Sequence, residues 1–189
     1  MEHTYSAEAV RSRLSSEAGR FHPVLLETVD STNDYLKREA EKGAPEGVAA
    51  FAVAQTGGKG RLGRSFASPP GGVYLSVLLR PALPARRTVW LTALAAVAAA
   101  EAIAPFTVGV VGVKWVNDVY IGGKKAVGIL AEGAVLPDGR LSYAVVGMGV
   151  NLAGGALPAA LAARACALDT DDRAAVAAAM LNRLAYWLP

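Results

Sequence analysis

VAAFAVAQTGGKGRLGRSFASPPGGVYLSVLLR, residues 48 to 80, holds Gly58, Gly60 and Gly63 at the spacing G-x-G-x-x-G. As a dinucleotide fingerprint this spacing would make the chain a doubly wound parallel sheet, because the pyrophosphate must sit where a strand ends and a helix begins. The apolar run 48–55 supplies the strand. No helix can follow, since the glycines lead into SFASPPGG, where Pro69, Pro70 and two further glycines break regular helix. The segment instead carries Lys59, Arg61 and Arg64 on a glycine-rich backbone and then enters a second apolar run, VYLSVLLR, residues 73 to 80. It reads as a mobile cationic loop between two strands, with a plain solvated surface loop as the alternative.

Working outward, HPVLLETV, residues 22 to 29, reads as a strand, and residues 6 to 18 as a short, mostly exposed helix. DSTNDYLKREAEKG predicts a helix over 33–42 that stops at Gly43, with Ser31, Thr32 and Asn33 as capping candidates. Local sequence alone favours capping there over a ligand site. After the second strand, an alanine-rich helix starts near Thr88 and ends before Pro105. VGVVGVKW, residues 108 to 115, is a further strand, and IGGKK, residues 121 to 125, turns the chain into AVGILAEG in a hairpin-like pattern. PDG at 137–139 is a turn, LSYAVVGMGVNL at 141–152 is the last strong strand, and a helix from Asp171 or Asp172 closes the chain. Strands cluster between single helices without strict alternation, so the expected class is α+β with a mixed sheet.

Composition sets the remaining bounds. At 189 residues the chain suits one domain with a sizeable core, and its net charge of +3 permits an anionic ligand without demanding nucleic acid. A single cysteine, Cys166, rules out an internal disulfide framework, and with only two histidines it argues against structural zinc. A reducing, cytoplasmic setting is the expectation. The N-terminal stretch is polar and shows no signal-peptide core, and the apolar run 89–104 is short and interrupted by Glu101, as in a core helix.

Two more segments carry chemistry. KWVNDVYIGGKKAVGIL, residues 114 to 130, groups Lys114, Asn117, Asp118, Lys124 and Lys125 around a glycine turn. A solvated hairpin tip would explain Lys124 and Lys125 equally well, whereas Lys114 and Asp118 border an apolar strand. In GMGVN, residues 147 to 151, two glycines interrupt a strand, as at a bulge or a ligand's close approach. His3 and His22 lie outside every motif, and Cys166 reads as a small buried hydrophobe. No histidine-based nucleophile set is present, and cations in glycine loops point to phosphate chemistry by charge stabilisation.

Taken in order, DSTN, QTGGKGRLGRSFASPPGGVYLS, KWVNDVYIGGKKAVGIL and GMGVN closely resemble the catalytic domain of biotin protein ligases, the biotin–acetyl-CoA-carboxylase ligases, from about residue 24 to the C-terminus. The resemblance implies the biotin/lipoate ligase catalytic fold, which is like that of class II aminoacyl-tRNA synthetases. It implies a two-step reaction in which biotin and Mg·ATP give biotinyl-5′-adenylate and pyrophosphate, and the acyl group passes to a lysine of a biotin carboxyl carrier protein. On this resemblance Ser31, Thr32, Gln55, Gly58, Lys59, Tyr74, Gly128 and Gly147 would serve biotin, and Gly58 to Arg64 would be the loop that closes over the adenylate. Arg61 and Lys125 would be the catalytic cations, with Lys125 also against the biotin carboxylate and Lys114 a second candidate. Arg61, Arg64, Lys114, Asn117 and Asn151 would face the nucleotide, and Asp118 would help hold Mg²⁺ through water.

The chain departs from the family where Lys59 replaces an arginine, Phe66 a tryptophan and Val116 a proline. Lysine at 59 keeps the charge and loses the planar fork. The resemblance also sets expectations for the ends: one catalytic domain over 1–189, no DNA-reading head before residue 24, and no C-terminal β-barrel domain before the chain stops at Pro189. Neither sequence-specific DNA nor a membrane is expected as a partner, and a homodimer stays open. The competing readings are a lipoate–protein ligase and a catalytically silent biotin- or adenylate-binding protein.

Overall fold

A computed structural model describes residues 5–153, 155 and 158–189. The two apolar runs that flank the glycine segment are neighbouring strands, β2 (Val48–Gln55) and β3 (Val73–Leu79) in the numbering below, and they pair antiparallel from Ala49↔Val77 to Ala52↔Tyr74. A dinucleotide crossover would require them to be parallel, so the fingerprint spacing is coincidental. In chain order the elements are α1 (Ala7–Arg11), β1 (His22–Val29), α2 (Thr32–Glu41), β2, β3, α3 (Thr88–Ile103), β4 (Val111–Lys114), β5 (Asp118–Ile121), β6 (Lys124–Val135), β7 (Leu141–Val150) and α4 (Arg173–Trp187). They build one seven-stranded sheet of order β1-β2-β3-β7-β6-β5-β4. Only β1 and β2 run parallel, joined through α2, and every other pairing is antiparallel. The class is α+β with a mixed sheet, as the clustering of strands predicts.

Alternation along the strands sorts side chains to the two faces. Val73, Leu75, Val77 and Leu79 of β3 join Phe51, Ile129 and Met148 in a core covered by α3 and α4. Leu78 packs the other way with Leu36 and Ala40 of α2 and with Val145. Between these apolar residues β3 leaves Tyr74 and Ser76 on the α2 side, where they line a recess instead of core. The alanines of α3 let it lie close on the sheet, with Ala95, Ala96, Ala98 and Ala99 fully buried. Ala85–Phe106 is long and apolar enough to cross a membrane by composition alone, but the buried face of α3 is packed as a core helix.

Several boundaries differ from the sequence-based ones, α2, β3 and β7 by one or two residues at an end and three others in ways that have a physical reason. The run 108–115 is a strand only over Val111–Lys114. As the sheet's last strand it has a neighbour on one side only, and Val108 and Val110 are left exposed. The N-terminal helix is shorter than 6–18 and is followed by a 3₁₀ turn at Glu17–Arg20, and its Val10 is wholly buried. α4 begins one residue after Asp172, whose carboxylate accepts from the Ala175 N–H at 2.9 Å as an N-cap should.

Candidate functional site

The parallel pair β1–β2 brings the start of α2 beside the end of β2, with Val29 opposite Gln55. This juxtaposition builds a polar floor. Gln55 Oε1 accepts from the Thr32 N–H at 2.8 Å, and Gln55 Nε2 donates to Ser68 Oγ at 2.8 Å. Ser76 Oγ donates to Asn33 Oδ1 at 2.7 Å, and Thr32 Oγ1 lies 2.7 Å from Ser76 Oγ. A hydroxyl has one hydrogen, so with Ser76 spending its own on Asn33, Thr32 Oγ1 donates either to Ser76 Oγ or to Gln55 Oε1, 3.1 Å away. Ser31, Thr32 and Asn33 are all buried here. Capping is therefore the wrong account of this triplet: Ser31 occupies the N-cap position without a side-chain cap bond, and its hydroxyl has no partner among the described residues while it lines the recess.

Close approach explains the glycines around the recess. A Cβ on Gly147 would collide with Asn33 Oδ1, and one on Gly149 would meet the Phe66 ring at 2.5 Å. Gly128 lies under the same ring, with Phe66 Cε2 3.0 Å and Lys125 Nζ 3.2 Å from its Cβ position. Tyr74 closes one wall edge-on to Phe66, with ring centroids 6.4 Å apart, and donates to Pro69 O at 2.5 Å. Burial pushes its phenol up to about 12, so it stays protonated at neutral pH.

A second recess of about 190 Å³ opens beside the first, and Lys59, Phe66 and Gly128 line both. Its walls are the glycine loop and the β5–β6 hairpin. Lys125 Nζ sits 2.6 Å from Asp118 Oδ1, which also accepts from Asn117 Nδ2 at 3.0 Å. Asn117 Oδ1 in turn accepts from Arg61 Nη1 at 3.0 Å. The two cations singled out in the sequence, Arg61 and Lys125, are thus the ends of one hydrogen-bonded chain across the recess. Lys125 also stands 6.0 Å from the centre of the Phe66 ring. An anion entering here meets Arg61, Arg64 and Lys125 with a single carboxylate, Asp118, to displace.

The glycine loop is a folded turn in this structure. Lys59 and Ser65 form a bridge, the Gly60 N–H bonds Arg64 O at 2.7 Å, and the Phe66 N–H bonds Gly58 O at 2.8 Å. Leu62 at its tip is 88% exposed with φ of 58°, a conformation unusual outside glycine. The loop has almost no apolar anchor before Phe66, and side-chain bonds from Lys59 to Asp34 and from Arg61 to Asn117 hold it.

Comparison with known proteins matches this architecture to one family. Residues 25–151 match the biotin/lipoate A/B protein ligase family model, about two thirds of the chain. The chain belongs to the biotin/lipoate A/B protein ligase family. It is 37% identical over 148 residues to the bifunctional ligase/repressor BirA of Bacillus subtilis, covering 78% of this chain and 45% of that protein. It is 34% identical over 134 residues to the biotin–[acetyl-CoA-carboxylase] ligase of Mycobacterium tuberculosis, covering 68% and 48%. The chain therefore spans less than half the length of either relative. A biotin protein ligase from Aquifex aeolicus, solved in complex with biotin and ATP, superposes with a TM-score of 0.71 at 33% identity over 87% of this chain and 69% of that one.

Within this member of the ligase family, Ser31, Thr32, Gln55, Lys59, Tyr74, Gly128 and Gly147 line the first recess, and Arg61, Arg64, Asn117, Asp118 and Lys125 line the second. Three expected residues line neither. Gly58 packs under the loop, where a Cβ would strike the Phe66 carbonyl. Lys114 is exposed on edge strand β4, with Nζ 3.5 Å from Tyr120 Oη. Asn151 turns aside to donate to Cys166 O at 3.3 Å. Conversely, Asn33 as a lining residue, Ser76 and Glu132 escaped sequence reading. Ser76 alone left a usable signal, a hydroxyl inside the apolar run VYLSVLL.

Proposed function

We propose that this chain is the catalytic part of a biotin protein ligase, which activates biotin with ATP and passes it to a lysine of a biotin carboxyl carrier protein. The observation that carries this reading is the pairing of a polar-floored recess with an adjoining cationic one in a member of the ligase family. The first recess, with about 30 Å³ open in this structure, offers hydrogen-bonding groups for a compact polar ring and would have to widen to admit it. Ser31, Thr32 and Gln55 would hydrogen-bond the ureido end of biotin, and Tyr74 and Phe66 would pack along its apolar rim. The second recess would receive the biotin carboxylate and the ATP phosphates.

In the first step a carboxylate oxygen of biotin bonds to the α-phosphorus and the bond from that phosphorus to pyrophosphate breaks. Two anions must meet, so neutralised charge matters more than a protein nucleophile. Lys125 and Arg61 would supply that charge from fixed positions, and an arriving phosphate would take Lys125 from Asp118. In the second step the neutral amine of the carrier lysine bonds to the acyl carbon, AMP leaves, and the amide nitrogen loses its proton. A Mg²⁺ ion that keeps most of its ligands as phosphate oxygen and water needs one protein carboxylate, and Asp118 with Asn117 beside it fits that need. When bound, the ion would neutralise phosphate charge. The reading assigns no role to DNA, to a membrane or to a second copy of the chain.

The test is exchange of labelled pyrophosphate into ATP by the purified chain. Biotin-dependent exchange, with lipoate inert, supports the reading. Exchange with lipoate and none with biotin would reassign the substrate, and biotin binding without exchange would make the protein a sensor.

A further inference from the structure

A chain of charged groups joins the glycine loop to the polar end of the first recess. Lys59 Nζ, on the loop, lies 2.7 Å from Asp34 Oδ2. Lys37 Nζ lies 2.8 Å from Asp34 Oδ1 and 2.9 Å from Glu132 Oε1. The second oxygen of Glu132 accepts from Asn33 Nδ2 at 2.8 Å, and Asn33 Oδ1 faces Ser76 in the recess. Lys37 lines neither recess, yet among the described residues it is the one cation shared by the carboxylate that holds the loop and the carboxylate that orients Asn33.

We propose that Lys37 is a positioning residue that couples the order of the glycine loop to the orientation of Asn33. The identity of the bound ligand rests on the function proposed above, and the coupling itself does not. Asp34 and Glu132 come from α2 and β6, two elements brought together only by the fold. Without Lys37 they are like charges with Lys59 as the one remaining cation bonded to either among the described residues, and Lys59 must leave the loop's closed geometry to serve both. The sites are partly shielded, with side-chain exposures of 20% for Asp34, 26% for Lys37 and 27% for Glu132, so these bonds are less screened than surface pairs. Burial raises the Asp34 carboxyl, and the bonds from Lys37 and Lys59 more than reverse this, holding it below its ordinary value. Burial likewise lowers Lys37, and its two carboxylate partners outweigh that, holding it above its ordinary value. Both groups are charged at neutral pH, so the chain is complete there.

Hydrogen exchange of the amides at 57–66 in the ligand-free chain, with biotin KM and kcat from pyrophosphate exchange, decides the matter. Lys37→Met should speed exchange of the loop amides about fivefold and raise biotin KM by a similar factor, with kcat within about twofold, magnitudes set by the loss of one shielded pair. Lys37→Arg, which keeps the charge and reaches both carboxylates, should restore both readouts. Glu132→Gln is the second variant. Glu132 has no bond to the loop, but in the Lys37→Met background Glu132→Gln removes the carboxylate that draws Lys59 away from Asp34, so loop exchange should return toward that of the parent. Unchanged loop exchange in Lys37→Met, no recovery when Glu132→Gln is added to it, or uniformly faster exchange across the whole sheet, would overturn the coupling and leave Lys37 a stabilising surface charge. A wild-type chain without biotin-dependent exchange would refute the proposed function, while the loop amides would still decide the coupling.

Discussion

Gly147→Ala tests whether the recess is built as described, and does so without any ligand. Gly147 lies in β7 opposite Ser76 and Leu130, and its φ carries no requirement for glycine. Alanine would fit its backbone and, other things equal, would stabilise by reducing the freedom of the unfolded chain. The obstacle is Asn33 Oδ1, which occupies the place of the new methyl group. Asn33 is 4% exposed, so its amide must leave a buried site. It would lose the 2.7 Å bond from Ser76, typically ~1 kcal/mol, and the 2.8 Å bond to the Glu132 carboxylate, ~1.5 kcal/mol after allowance for the partial exposure of Glu132. The expected cost is ~2–3 kcal/mol in urea unfolding of the ligand-free chain. In an Asn33→Ala background the same substitution should cost ~0.5 kcal/mol or less, because the colliding atom is gone. A cost that persists in that background, or a Gly147→Ala chain as stable as the parent, would refute the steric account. Gly147 would then be a glycine for close ligand approach alone.

Three other outcomes follow from the site. Lys125→Met should leave the urea midpoint near that of the parent and lower biotin-dependent pyrophosphate exchange at least a hundredfold, the ~3 kcal/mol typical of a lost charge-stabilising donor. Near-normal exchange would move the role elsewhere. Arg61→Ala should speed dissociation of pre-formed biotinyl-adenylate much more than it weakens ATP binding, since Arg61 reaches the second recess from the loop that covers it; an unchanged adenylate off-rate would make this a plain surface loop. The Asp30 carboxyl is held at about 2, mainly by its hydrogen bonds from Arg38, against an unfolded value near ~3.9. A depressed carboxylate stabilises above the unfolded value and ceases to do so as pH falls through the folded one. Arg38→Met should therefore be less stable than the parent at pH 6, modestly because Asp30 is half exposed, with most of that gap closed at pH 2. A gap of the same size at pH 2 would contradict the assignment.

How much of this was legible in the sequence depended on whether the deciding contacts were local. β1 and β2 are apolar runs bounded by turn residues, and both were readable to the residue, as was the incompatibility of SFASPPGG with a dinucleotide helix. The strand over 108–115 overshot because an edge strand gains hydrogen bonds on one side only, so apolar residues outrun the pairing. The sheet order, with β7 between β3 and β6, rests on pairings between distant residues that no local pattern encodes. The same applies to the site. Arg61 and Lys125 were visible as cations in glycine-rich segments. Lys37 and Glu132, in contrast, look like solvated charges on a helix and a strand until β6 is laid beside α2, 95 residues apart in sequence. Asn33 was seen only as a cap, because Ser, Thr and Asn are the residues preferred at a helix start. Its bond to Ser76 comes from a strand 43 residues away.

The most direct measurement is a crystal structure of this chain with biotinyl-5′-adenylate. The account predicts the ureido ring in the first recess, within hydrogen-bond reach of Ser31, Thr32 and Gln55, and the phosphate in the second, against Lys125 and Arg61 with Asp118 released from Lys125. An adenylate whose phosphate lies away from both cations, or whose ring sits outside the Ser31–Gln55 floor, would contradict it.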